Sequence, residues 1–224
     1  MEMLCVLAVL GVVAVATFPA VNKGLVVAKQ TQCLSNMRQI GTALMSYASD
    51  HDGLLPQTTH STAAMGVAGR YESWIYKLAD YLEDVNAVRI CPADKKARRN
   101  RIRETDGLTS YLLNDLVFDS AESSTPLNRL QNIPLPSKTM LIFPASDNLA
   151  ISRGRDHIHG GGWTSWFGIL GDIEPDRHRS GNRATDRLKG SANYVFADGH
   201  VATISATELK KISDAGVNPA AVPH

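Results

Sequence analysis

The chain has 224 residues, with 23 Lys plus Arg against 22 Asp plus Glu, for a formal net charge of +1. A balance this even excludes bulk electrostatic attraction to nucleic acid or anionic lipid as the organising feature. Once a long N-terminal helix is set aside, the remaining length suits one ordinary hydrophobic core.

Between Glu2 and Lys23 no residue is charged. The run MLCVLAVLGVVAVATFPAVN is about as long as a helix needs to cross ~30 Å of hydrocarbon, and it predicts a membrane-embedded helix. A conventional cleaved signal is disfavoured, because the run is longer than a signal core and follows an acid instead of a basic segment. Gly11 and Pro19 weaken it by roughly 1 and 3 kcal/mol respectively, which predicts a kink or loosening between them. Beyond Lys23 the pattern turns amphipathic. Cys33, Met37, Ile40, Leu44 and Tyr47 recur at steps of four, three, four and three, which keeps them on one helical face. Asp50, His51, Asp52 and Gly53 supply a stop, and Pro56 prevents resumption. The expected organisation is a long helix over residues 1–53 and a globular α+β head over 54–224, its antiparallel sheet packed on the amphipathic half of the helix.

Within the head, residues 57–70 read as a loop and YESWIYKLADYLED as a short amphipathic helix. VRICPAD reads as a strand, and KKARRNRIR as a solvated basic loop whose lack of aromatics makes nucleic acid an unlikely partner. LTSYLLND and SKTMLIFPA are strand candidates. Residues 147–190 form a long irregular excursion in which Trp163 and Trp166 offer either a sugar- or subunit-contact surface or a buried anchor. SANYVFA and HVATIS flank Asp198-Gly199, a type I′ hairpin signature. ATELKKIS predicts a helix capped by Thr207, followed by a mobile tail. Cys5 lies in the apolar run, which leaves Cys33 and Cys91 as one pair. They would be a disulfide in an oxidising compartment and buried thiols in a reducing one.

No catalytic set is expected. The chain holds no G-x-S-x-G elbow, no phosphate loop and no HExxH or paired CxxC spacing. Asp172, Glu174, Asp176, His178 and His200 are the candidate ligands for a structural Ca²⁺ or other divalent cation, although Pro175 stiffens the loop and no EF-hand glutamate follows. No cofactor is otherwise expected.

Glu2 followed by an apolar run, with Gly11 and Pro19 at their places within it, resembles the N-terminal helix of type IV pilins and type II secretion pseudopilins. CLSNMRQIGTALMSYASDHDGLLP, CPAD, TSYLLND, PSKTMLIF and NYVFADGHV resemble the successive blocks of bacterial pilin-like proteins whose head carries an H-x9-DG motif, here His178, Asp198 and Gly199. The resemblance implies a structural subunit anchored in the inner membrane before assembly, then polymerised through its helix into an extracellular or periplasmic filament. Its partners would be copies of itself and the pilus or secretion assembly machinery. It gives Glu2 the role of registering each incoming helix against the terminal ammonium of a neighbour, a partner that a carboxylate at the edge of an apolar run requires. There are two departures. The family removes a short basic leader a few residues before the glutamate, whereas Glu2 is the second residue here. Nineteen residues, not nine, separate His178 from Asp198, as if residues 182–191 were inserted. A different reading from the residues is a monomeric membrane-anchored module displaying a carbohydrate- or metal-binding head.

Overall fold

A computed structural model describes residues 2–59, 73–119, 126–152, 154–182 and 184–223. Helix α1 spans Glu2–Asp50 without a break. At ~1.5 Å per residue it is about 73 Å long. It runs helically through Gly11 and Pro19, where a kink or loosening is expected from the sequence. A proline removes one amide donor, while the bonds above and below it can continue the helix. The side chains of Glu2, Cys5, Gly11 and Pro19 lie outside the described ones, as do most of those in the apolar run. Among the described residues no helix is long and apolar enough to cross a membrane.

The helix ends as its sequence requires. Asp52 adopts φ 53° and Gly53 φ 80°, and the Gly53 N–H reaches back to the Ala48 carbonyl at 2.7 Å. A left-handed residue followed by this backward bond is a Schellman-type stop.

Short helices follow. These are α2 (Trp74–Lys77), continued by a 3₁₀ turn at Ala79–Tyr81, α3 (Val85–Val88) and α4 (Lys96–Glu104). The segment VRICPAD therefore begins in a helix, not a strand: Asp84 caps α3 by accepting from the N–H groups of Asn86 and Ala87. The basic stretch expected to be a loop is α4, and its Arg98 and Ile102 are buried. Most of the loop expected at 57–70 lies outside the described residues.

Four strands make one antiparallel sheet in the order β1 (Tyr111–Leu113), β2 (Met140–Pro144), β3 (Ser191–Phe196), β4 (Val201–Ser205). Helix α5 (Asp115–Phe118) follows β1, α6 (Trp166–Asp172) lies in the excursion, and α7 (Ala206–Asp214) closes the chain. The cap of α7 is Ser205, not Thr207, its hydroxyl accepting from the Glu208 N–H at 3.1 Å. Nor is the tail loose, since Ala220 is buried and its carbonyl accepts from Asn114 Nδ2 at 2.8 Å.

Period-two alternation gives the sheet two apolar faces. Tyr111, Leu113, Ile142 and Val195 join one core with Cys33, Met37, Ile40, Ala43, Leu44 and Ala48 of α1. Leu112, Phe143, Tyr194 and Phe196 join a second with Trp163, Trp166, Ile169, Leu170 and Leu209. A register shift between Met140 and Ile142 in β2 lets Leu141 and Ile142 both face α1. The head is thus three layers: α1, sheet, and the excursion with α7. Each fully buried Met, Ile or Leu on α1 contributes about 1.5–3 kcal/mol of apolar transfer, an upper figure for a realistic unfolded chain.

The β3–β4 hairpin docks on α1 at a pair of glycines. The Gly199 N–H bonds Phe196 O and the Phe196 N–H bonds His200 O, both at 2.9 Å. Gly199 has φ 85°, while Asp198 is not among the residues of positive φ. The turn is therefore type I with a left-handed glycine bulge, not the type I′ that Asp-Gly suggested. A Cβ on Gly199 would lie 2.9 Å from Met45 Cγ, and one on Gly41 would lie 3.1 Å from the Gly199 carbonyl oxygen and from Val195 Cγ1.

Candidate functional site: the seam between helix and head

Cys33 sits on the buried face of α1, Cys91 in the segment after α3, and His178 in the loop that leaves α6. All three are buried, and their ligand-capable atoms lie within 4.8 Å of one another. Cys33 and Cys91 are both free, buried thiols in this structure. A fourth group belongs to the cluster. The Tyr111 hydroxyl lies 3.6 Å from Cys33 Sγ, and neither ring nitrogen of His178 makes a hydrogen bond of regular geometry, although the ring lies close enough to Cys33 to act on its thiol. The adjacent Cys91 thiol, with help from His178 and Tyr111, holds the Cys33 thiol well below its ordinary range against the opposing effect of burial. Burial, reinforced by Cys33, pushes Cys91 well above it.

Next to this trio lies a buried charge network. Arg177 Nη1 meets Asp94 Oδ1 at 3.0 Å and Asp147 Oδ1 at 2.6 Å, and Arg177 Nη2 donates to the Ala145 carbonyl. Arg98 Nε lies 3.4 Å from Asp94 Oδ2, which also accepts from Ser110 Oγ at 2.7 Å. Burial pushes the Asp94 carboxyl up, opposed by Arg177 and Arg98. Burial would raise Asp147 as well, but the Arg177 guanidinium holds it below the usual range. A second cluster sets Arg187 Nη2 at 2.5 Å from Glu174 Oε1 and 2.6 Å from Asp176 Oδ1, with Arg179 Nη1 at 3.3 Å from Glu174. Four arginines thus face four carboxylates. Such pairs break roughly even against apolar packing, yet removing one partner strands a buried charge.

That network corrects the expected cation site. Glu174 and Asp176 are taken by arginines, and Glu174 Oε2 accepts from the Asp147 N–H at 2.9 Å. Asp172 accepts from the His159 N–H at 3.0 Å and Trp163 Nε1 at 2.9 Å. His200 lies at the exposed hairpin tip, paired with Asp198 Oδ1 at 2.5 Å and stacked on Phe196. The five residues do not converge. Among the described residues it is Cys33, Cys91 and His178 that gather three such ligands. Alternation in D-I-E-P-D suggested a loop chelate, but Arg179 and Arg187 downstream decide where those carboxylates go. Trp163 and Trp166 are buried, Trp163 edge-on to Phe143 at 5.4 Å between centroids, so they anchor their own loop.

The motif residues separate accordingly. His178 lies at the thiol pair, while Asp198 and Gly199 form the turn that rests on α1. Residues 182–191 lie between them and deliver Arg187, at φ 58°, into the charge network.

Residues 27–101 match a family model described as a protein of unknown function (DUF1559). The match covers the half of α1 that touches the head, and it includes Cys33 and Cys91 but not His178. No curated protein and no solved structure matched the chain.

Proposed function

We propose that this chain is the structural subunit of a pilus-like or pseudopilus-like filament, built by packing α1 against α1 of its copies. One observation carries the reading. Head contacts bury α1 from Cys33 onward, but below them the helix stands clear, with Val21 59%, Leu25 53% and Val27 61% exposed. These continue an apolar sequence that reaches back to Met3. Apolar surface of that length is covered by lipid or by other helices, and covering it with sister helices contributes about 25 cal/mol per Å². The match to the DUF1559 model and the resemblance carried by Glu2, Gly11 and Pro19 support the same reading.

In this proposal the inner membrane holds the subunit first, assembly machinery extracts it, and the filament lies outside that membrane. Glu2 registers each helix against the terminal ammonium of a neighbour. No catalytic activity is assigned. The observed exposure also admits a monomeric anchored display module, so the test separates the two. Electron microscopy of the native protein should show regular filaments, and Glu2→Ala should abolish them while circular dichroism shows the head still folded. Undiminished filaments in that variant would remove the registration role. Persistent monomers of the wild-type protein, with the head binding carbohydrate, would favour the display module.

A further inference from the structure

The cysteine–histidine trio carries chemistry that filament assembly does not use. Cys33, Cys91 and His178 stand 58 and 87 positions apart in the chain, yet the fold sets them side by side at relative exposures of 1%, 1% and 5%. A buried imidazole whose nitrogens make no regular hydrogen bond, with only a thiol beside it, is an expensive arrangement unless something is meant to meet it. Thiolate sulfur and imidazole nitrogen are the donors preferred by zinc and similar thiophilic ions, not by Ca²⁺ or Mg²⁺, which take oxygen. In a tetrahedral zinc site with Zn–S near 2.3 Å, neighbouring ligand atoms stand about 3.8 Å apart. The observed spacing of 4.8 Å or less is within side-chain adjustment of that.

We propose that Cys33, Cys91 and His178 form a binding site for one thiophilic divalent ion of the zinc class, which fastens α1 to the head. Binding releases the thiol protons to solvent and leaves two thiolates and a neutral imidazole on a dication, a set with no net charge and so suited to burial. Asp94 does not compete, because Arg177 and Arg98 already hold it. The fourth position faces either the Tyr111 hydroxyl, 3.6 Å from Cys33 Sγ, or a cavity of about 150 Å³ that His178 lines with Ala93 and Arg177. A disulfide, in contrast, would leave the His178 nitrogens without a regular hydrogen bond and would need an oxidant to accept two electrons. The proposal does not depend on the filament reading, since it concerns the inside of one subunit.

The test uses the full chain in detergent, reduced, stripped with a chelator and titrated with Co²⁺ and then Zn²⁺. One equivalent of Co²⁺ should produce thiolate-to-metal charge-transfer absorption and the intense visible bands of a tetrahedral ion, both erased by Zn²⁺. Zn²⁺ should raise the unfolding midpoint. Cys91→Ser and His178→Gln should bind at least about a hundredfold more weakly, since even outer-shell partners of a metal are worth up to that much. The wild-type spectrum decides even if a variant does not fold. Absence of charge-transfer absorption while both thiols are titratable would overturn the proposal. So would native protein that carries no metal and has Cys33 and Cys91 joined, seen as a mass two hydrogens lower.

Discussion

At the scale of single residues, the head is specified by buried polar groups whose partners come from far along the chain. His157 illustrates the consequence. Its Nδ1 lies 2.8 Å from Asp156 Oδ1, and Asp156 also accepts from the Thr59 N–H and hydroxyl. Burial would lower the imidazole's affinity for a proton, but Asp156 beside it wins, and the group titrates above its ordinary value. A folded-state value raised above the unfolded one stabilises the protein fully below the ordinary histidine range near 6.5, and that contribution is lost as pH rises through the higher folded value. Urea midpoints measured from slightly acid to mildly alkaline pH should therefore fall in that window. Asp156→Asn should flatten the fall whatever it does to overall stability, and an unchanged slope would show that another group titrates there. None of this was legible beforehand. The basic stretch that holds Arg98 reads from sequence as solvated, and only the fold reveals that Arg98 and Arg177 are enclosed by Asp94 and Asp147. Cys33, Cys91 and His178 escaped notice as a set for a related reason, since ligand spacing is recognisable only when donors are close in sequence.

At the scale of elements, periodicity was the reliable guide. The heptad-like steps from Cys33 to Leu44 placed the buried face of α1, and alternation or apolar runs located β1 to β4. Tyr47, at the edge of that face, is only half-buried and stacks on His51 at 3.9 Å. Short elements are harder to read where a local cap sets the backbone, as with Asp84, which caps a helix over Val85–Val88 that runs into the first residue of the strand expected at VRICPAD. The hairpin was found from Asp-Gly, but its turn type follows from the hydrogen bond that Gly199 makes to Phe196 and from the helix it must sit on. That contact makes a prediction. Gly41→Val puts branched carbons where even a Cβ would sit 3.1 Å from the Gly199 carbonyl, so the hairpin must back away from α1. Overpacking of this kind costs roughly 1–3 kcal/mol, to be read as a lower urea midpoint. A midpoint equal to or above the wild type would show that the seam has slack.

At the scale of the whole molecule, the long helix followed by an α+β head was legible from the contrast between an uncharged first segment and a patterned second one. The layer beyond the sheet was not. Residues 147–190 lack helical periodicity except for one short stretch, and their burial comes from Trp163, Trp166, Ile169 and Leu170 gathered against the sheet's outer face. The division of labour along α1 predicts the behaviour of a shortened chain. Residues 29–224 keep the buried core that α1 shares with the head, which begins at Cys33, and lose Val21, Leu25, Val26 and Val27. That fragment should be monodisperse by sedimentation and unfold cooperatively, whereas the full chain should associate or require detergent. A fragment that self-associates as readily as the full chain would place the cohesive surface in the head.

The same arrangement has a mechanical meaning. The buried stretch of α1 from Cys33 to Ala48 lies inside the head's core instead of at a flexible joint, and Gln30 already reaches Ser191 Oγ at 3.3 Å while Asn193 Nδ2 donates to the Gln30 carbonyl at 3.4 Å. Tension drawn along the helix axis therefore enters the head through Met37, Ile40 and Leu44 together, with no linker to stretch first. The helix and head should yield as one piece, at a force set by shearing a packed interface, so that the chain behaves as a rivet and not as a bead on a string.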